Sequence, residues 1–449
     1  MNTFPELKTR REFLRTTILG GALTWTVPAF LGQTFVALQS EAAGQTQADT
    51  GKDSPILVVL QLAGGNDGVN TVIPFTNDFY YRARPRLGTV AKNALRLNDS
   101  LGLHPALSGF KSLFDAGHLG VVQGIGYPNP NRSHFRSTEI WQTASDENKF
   151  ERFGWLGRYF DNACSGADPA VGISIGRQMP QAFASAKPAG VSLDNPENYR
   201  YASMDDLDNG DMASGSEEYF KQLNQPEMEH RAKGQDDLMT GATVGAVAGK
   251  APAGMSSLDF LERTALDAQV SSERIRGVTK MGVNHGPYPA SALAGGLKMV
   301  ARLIAGGMPT RVYYVSQGGY DTHTNQAGAH QRLLEDLGGS LKSFTDDLKA
   351  QGNLDRVLIM TFSEFGRRLA ENANGGTDHG AAAPMFLIGG KVKPGLHGVY
   401  PSLAANDLHN GDPKFTTDFR SVYAGVLEQW LRTPSAPVLG KQFTPLPIV

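Results

Sequence analysis

The chain has 449 residues, a formal net charge of −2 and a hydrophobic content of 40%. A near-neutral balance without a long basic stripe excludes a nucleic-acid binder, and a single cysteine, Cys164, excludes an intrachain disulfide. The length allows one large domain with insertions or two domains, with enough apolar content for a substantial core.

In chain order, Thr9-Arg10-Arg11-Glu12-Phe13-Leu14-Arg15 comes first and resembles a twin-arginine export signal. The apolar stretch from Ile18 to Leu38 is broken by Gly20, Gly21, Pro28 and Gly32, which argues against a permanent membrane span. Ser40-Glu41-Ala42 offers the small residues a signal peptidase uses, so residues 1–42 read as a signal peptide. The expectation is passage through the twin-arginine translocase to a periplasmic or otherwise extracytoplasmic location, with no stable span in the mature form. A protein that folds in a reducing cytoplasm before export gains nothing from cysteines.

Residues 43–54 are a polar linker. Ile56 to Leu60 is a continuous β-branched and leucine run, the pattern of a strand buried on both faces. A helix is predicted from Leu101 to Phe114, entered at His104-Pro105, and a strand from Leu119 to Gly124. The prolines of Tyr127-Pro128-Asn129-Pro130-Asn131-Arg132-Ser133-His134-Phe135 define a loop. From 180 to 285 the composition turns acidic and then rich in Gly and Ala, which reads as an insertion or cap with one helix from Ser257 to Arg276. The core resumes with a helix from Ala290 to Ile304 and a strand from Arg311 to Ser316. A helix from Gln326 to Gln351 carries Leu333, Leu334, Leu337, Leu341, Phe344 and Leu348 near one face. Strands from Val357 to Thr361 and from Met385 to Ile388 complete a strand–helix–strand rhythm. That rhythm predicts an α/β fold with a mostly parallel sheet wrapped by helices.

Residues able to do chemistry gather where these strands end. In an open α/β sheet the carboxyl ends of the strands converge on the crevice that binds ligands. Asp67 follows the first strand in Gly64-Gly65-Asn66-Asp67-Gly68, as a tight turn or as a metal ligand. Asp321 and His323 leave the same side of an extended segment, either as two ligands of one cation or as a hydrogen-bonded pair. Glu364 follows another strand, as a ligand or as a salt-bridge partner of Arg367 or Arg368. Asp378-His379 point to opposite sides if extended, so one of the two is the primary ligand. Ser133, beside Arg132 and His134, is either a nucleophile or the cap of a helix beginning near Phe135. His104, His118, His330, His397 and His409 are read as structural or surface residues. No nucleophile elbow, Walker loop or dinucleotide fingerprint stands in proper context. A mixed Asp and His donor set favours a divalent zinc, manganese or iron, and one or two ions would suit phosphoryl or sulfuryl transfer.

Taken together, Leu62 to Thr71, Asn131 to Phe135, Gly319 to His323, Ser363 to Arg367 and Gly376 to Gly380 resemble the domain of unknown function 1501 family. These are twin-arginine-exported proteins related to the alkaline phosphatase and sulfatase superfamily. The resemblance implies an alkaline-phosphatase-like three-layer sandwich over residues 55–449 with a metal centre at the strand ends. It implies metal ligation by Asp67, Asp321, His323 and His379, with Glu364 and Asp378 as further ligands or support. It also implies attack by Ser133, with Arg132 binding the anionic group and His134 orienting it or ligating. Glu364-Phe365 stands where the superfamily has Asp-His, which removes an imidazole and puts a second ion in question. The sulfatase signature is not met, since Pro128 occupies the nucleophile's place ahead of Pro130 and Arg132. The expected function is exported, metal-dependent hydrolysis of small-molecule or polymeric phosphate or sulfate esters. The alternative is a non-catalytic exported binding protein that keeps the fold.

Overall fold

In the computed structural model, residues 54–164, 169–186, 189–194 and 274–449 are described. The expected signal peptide, nearly all of the linker, the acidic and Gly/Ala-rich runs and most of the helix expected from Ser257 to Arg276 lie outside them. Among the described residues no helix is long and apolar enough to cross a membrane.

The centre of the sheet is β1 (Ile56–Leu62), flanked by β5 (Val312–Gln317) and β6 (Val357–Phe362), both parallel to it. Outward from β5 come β3 (Gly172–Ile175) and β4 (Val191–Leu193), also parallel. Outward from β6 comes β9 (Ala383–Ile388), the one reversed strand of this sheet, antiparallel to β6 and to β2 (Leu119–Gly126). Beyond it, β10 (Gly395–His397) and β11 (Thr417–Asp418) pair parallel with β2, giving nine strands. Residues 191–193, expected within the insertion, instead form the sheet's edge. Val191 and Leu193 are buried, so this segment covers apolar surface rather than capping a crevice.

The expected three-layer α/β sandwich is present because β1 is apolar on both faces. Ile56, Val58, Leu60 and Leu62 face one core with α3 (Ser108–Asp115), α6 (Ala292–Ala305) and α7 (Gln326–Ala350). Leu57 and Val59 face the other, which holds Trp141 of α4 (His134–Thr143), Trp155 and Tyr159 of α5 (Trp155–Ala163) and Phe419 and Tyr423 of α8 (Phe419–Gly425); Trp141 stacks on Phe419 and Trp155 on Tyr423. Along α7, Leu334, Leu337, Leu341, Phe344 and Leu348 form the buried stripe that the periodicity predicts. The helix predicted from Leu101 begins only at Ser108. Gly102 and Leu103 are instead a strand paired with Val72–Ile73 and Leu95–Arg96, and the His104 amide donates to the Thr71 carbonyl.

A candidate metal centre at the strand ends

Three adjacent parallel strands deliver the site. The turn after β1 carries Gly64 and Gly65, the loop after β5 carries Asp321 and His323, and Glu364 follows β6 at Ser363. The first turn can lie against the second because both glycines have positive φ (121° and 76°) and no side chain. A Cβ on Gly64 would sit 2.5 Å from the Asp321 amide nitrogen, and one on Gly65 would sit 2.2 Å from Phe365 Cε2. The fully buried Arg367 binds the loops together. It donates to the carbonyls of Gly64, Gly65, Tyr320 and Thr377 and to Asp321 Oδ1.

Three imidazoles surround Asp321. His379 closes β8 (Thr377–His379), which pairs antiparallel with β7 (Arg367–Glu371) opposite Arg367. His134 opens α4, and His323 follows two residues after Asp321. Each ring is held at Nδ1 by an oxygen acceptor. His379 Nδ1 lies 2.8 Å from the Arg132 carbonyl, His134 Nδ1 2.8 Å from Glu364 Oε1, and His323 Nδ1 3.3 Å from Asp378 Oδ1. A carbonyl and an ionised carboxylate only accept, so Nδ1 carries a proton, and a ring with that proton alone presents a lone pair at Nε2.

Those three Nε2 atoms converge. His323 and His379 place theirs 3.0 and 3.1 Å from Asp321 Oδ1 and 2.9 Å from each other. His134 Nε2 lies 3.4 Å from Asp321 Oδ2, is buried, and makes no hydrogen bond among the described residues. Lone pairs facing a carboxylate and one another repel unless a cation or proton lies between them. Burial raises the Asp321 pKa, but the hydrogen bond and charge of the neighbouring Arg367 act against this and keep the carboxyl below its ordinary value. His134, Asp321 and His379 are a group able to hold a metal ion, and His323 contacts two of its members. The donor set fits zinc, manganese or iron.

The remaining expected residues take other positions. Asp67 does not join the cluster. Its carboxylate is fully buried, paired with Arg84 at 2.5 Å and hydrogen-bonded by Gln326 and the Asn70 amide. Burial raises its pKa, but Arg84, His330 and Gln326 bring it below the ordinary value. Asp67 is therefore a helix cap that already owns its cation. Glu364, 2% exposed, accepts from the Gly64 amide and His134 Nδ1 and so supports a ligand instead of coordinating. Asp378 does the same for His323, and Asn372 anchors it in turn. The Asn372 hydrogen bond, then His323 and Arg368, hold Asp378 below its usual range against slight burial. Arg132, expected to be free for an anion, is ion-paired with the buried Asp412. Ser133 precedes α4 in extended conformation, exposed, with no side-chain capping hydrogen bond. Phe365, at the position of the missing imidazole, packs against His379 and His134 at ring-centre distances of 4.5 and 4.9 Å.

One family model, described as "Protein of unknown function (DUF1501)", matches residues 55–440. The chain belongs to this family. No curated protein matches the chain. Among solved structures, a protein in the alkaline phosphatase superfamily from Vibrio parahaemolyticus is similar at 10% identity and a TM-score of 0.36, over 92% of this chain and 77% of that one. A sulfatase from Pseudoalteromonas sp. shows 11% identity and a TM-score of 0.33, over 94% and 73%. The alkaline phosphatase of the Antarctic bacterium TAB5 shows 10% identity and a TM-score of 0.30, over 77% and 95%. These are distant likenesses.

In this DUF1501 chain the residues that sequence reasoning missed are mostly donors that satisfy backbone. Arg367, expected as a salt-bridge partner for Glu364, instead ties four carbonyls. Arg84 and Gln326 carry no sequence pattern that marks them. The available signal was the crowd of glycine-turn carbonyls after three strands, which needs buried donors.

Proposed function

We propose that this chain is an exported, metal-dependent hydrolase of phosphate or sulfate esters, working with a single divalent ion, zinc or manganese. The observation that carries the reading is the convergence of three Nδ1-anchored imidazoles on Asp321, with the His134 Nε2 atom buried and unpartnered. His134, His379 and Asp321 would hold the ion, with His323 as a fourth donor. Such an ion supplies a Lewis acid for a phosphoryl or sulfuryl oxygen. One ion is proposed because Asp67 is neutralised by Arg84 and Phe365 brings no donor.

The chain's own residues do the rest. Glu364, Asp378 and the Arg132 carbonyl fix ring orientation and tautomer, so the lone pairs need no reorganisation. Phe365 packs against the His134 and His379 rings and limits their movement. Ser133 Oγ, which caps nothing, bonds to phosphorus or sulfur while its proton passes to solvent. The ester oxygen takes a proton from solvent and leaves as the alcohol, and water then cleaves the seryl ester, releasing phosphate or sulfate and regenerating the hydroxyl. The N-terminal segment would direct the folded chain through the twin-arginine translocase to the periplasm, where small or polymeric esters are the substrates.

Elemental analysis of protein purified without added metal or chelator, followed by aryl phosphate and aryl sulfate hydrolysis, tests this. The expected result is stoichiometric zinc or manganese, lost in Asp321→Ala, and turnover abolished in Ser133→Ala with the metal retained. Absence of metal from the folded wild type, with none taken up on titration, sinks the reading. One observation favours a second reading, a binding protein: Arg132 is already paired with Asp412. Tight ester binding without turnover would establish it.

A further inference from the structure

Thr377 opens the three-residue strand β8 that ends in His379, and it is fully buried. At period two, the side chains of Thr377 and His379 leave the same face, so the way Thr377 is rooted sets where His379 stands. The Thr377 amide donates at 3.3 Å to the carbonyl of Thr322, the residue between Asp321 and His323. Its carbonyl accepts from Arg367 Nη1 at 2.8 Å. Its hydroxyl, 2.6 Å from Gln326 Oε1, reaches to the first residue of α7. Gln326 is also fully buried, and its Nε2 donates to Asp67 Oδ2. One continuous line of side chains thus joins the Arg84–Asp67 pair to the strand of His379.

The direction of each bond in this line is fixed. An ionised carboxylate only accepts, so Asp67 turns the Nε2 end of the Gln326 amide toward itself. Oε1 then faces Thr377 and can only accept, which makes the threonine hydroxyl the donor. The line also has no slack. The Gln326 amide nitrogen donates to the Gly375 carbonyl at 2.9 Å, and Thr324 forms a bridge with Gly375. A Cβ on Gly376 would sit 2.2 Å from the His323 carbonyl carbon, so the segment entering β8 lies against the loop of Asp321 and His323. Asn372 closes the far side by donating to the His323 carbonyl. A shift at Thr377 is therefore passed to both His323 and His379, whose Nε2 atoms lie 2.9 Å apart.

We propose that Gln326 and Thr377 are positioning residues of the metal centre, a strut that transmits the place of the buried Arg84–Asp67 pair to His323 and His379. The proposal rests on the metal centre of the hydrolase reading and is measurable without turnover. Neither residue touches the ion. Asp67, which the resemblance makes a ligand, acts on the centre at one remove by setting the spacing of two rings. Spacing matters because metal–ligand distances are tolerated only within about 0.2 Å.

The test is titration of zinc, in competition with a chromophoric chelator, into the full chain after metal removal. Thr377→Val, Thr377→Ser, Gln326→Met and the double variant Thr377→Val/Gln326→Met are measured beside the wild type, with circular dichroism reporting that each is folded. Thr377→Val keeps the branched shape and removes the donor, and Thr377→Ser restores it. Zinc affinity is expected to fall about tenfold in Thr377→Val and in Gln326→Met, as for other partners of metal ligands, with stoichiometry unchanged. It is expected to recover in Thr377→Ser. Since one strut carries both residues, the double variant should bind no more weakly than the weaker single variant. Wild-type affinity in folded Thr377→Val overturns the strut, as do additive losses in the double variant. Where Thr377→Val fails to fold, Gln326→Met decides the same question, and wild-type affinity there overturns the strut. A wild type that takes up no zinc sinks the hydrolase reading and the strut together. A wild type that binds zinc beside unaffected variants sinks the strut alone.

Discussion

Asp67 and Asp321 follow adjacent strands, each ringed by histidines and an arginine, and they end in opposite states. Asp67 is fully buried, and Arg84, Gln326 and the Asn70 amide satisfy its carboxylate. The nearby His330 donates Nε2–H to Asn66 Oδ1, and burial first of all pushes both it and His104 down to about 4, so these rings stay neutral. Asp321 is 47% exposed on its side chain, and its arginine contacts one oxygen only. Its imidazoles turn Nε2 toward it, the atom that can hold an ion. A carboxylate with a buried cation of its own organises the fold, and one left among bare Nε2 atoms can take an ion.

The sharpest way to break this comparison is to remove one member from each side. His379→Ala is expected to abolish stoichiometric metal binding, while Asp67→Asn keeps the ion in whatever fraction folds. Elemental analysis of the folded protein reads both. Metal lost from a folded Asp67→Asn variant would show that the two carboxylates serve one centre.

On the Asp67 side the expected effect is on stability. Arg84→Met leaves a carboxylate buried without its cation and should cost about 3–5 kcal/mol in urea denaturation. Adding Asp67→Asn should recover part of that loss, since the stranded charge is then gone. A cost below about 1 kcal/mol for Arg84→Met would mean the pair is solvated after all.

The two regions also differ in how legible they were in the sequence. β1, β5, β6 and α7 could be read because continuous β-branched runs and a 3.6-residue period follow directly from burial on two faces or one. The glycine turns marked the strand ends, and thus Asp321, His323 and His379, because only a glycine can let Asp321 and Phe365 approach so closely. What could not be read was the direction in which each side chain leaves. Asp67 has the residue type and position of a ligand, but Arg84 reaches it from 17 residues away, which no spacing rule encodes. Phe365 looked like a lost ligand, yet its ring forms a wall. Gly102–Leu103 was hidden inside a helical pattern because a two-residue strand carries no period.

The buried imidazoles give a smaller effect with a defined pH window. His330 has an ordinary value of 6.5 and is held at about 4, by burial first, against the favourable charge of Asp67. Between those values the unfolded chain binds a proton that the folded chain refuses. The contribution to stability is therefore complete above pH 6.5 and is lost as the pH falls toward 4. His330→Gln keeps a donor for Asn66 and should flatten the stability profile between pH 7 and 4 by up to about 3 kcal/mol. Parallel profiles for variant and wild type would show that His330 takes up its proton at the same pH in the folded and unfolded chain.

The smallest expected effect tests what prepares the Nε2 atoms around Asp321. Glu364→Gln preserves shape and an oxygen able to accept from His134 Nδ1 and the Gly64 amide, so the ring should hold its place. What it removes is the negative charge that makes Nε2 a stronger donor. Metal affinity should fall about tenfold, within the range for a supporting carboxylate, with stoichiometry unchanged. A complete loss of metal would make Glu364 itself a ligand, returning it to the role its position after β6 first suggested. No change would mean that orientation alone, which the glutamine retains, is what prepares His134, and that the charge balance separating the two carboxylates ends at Asp321.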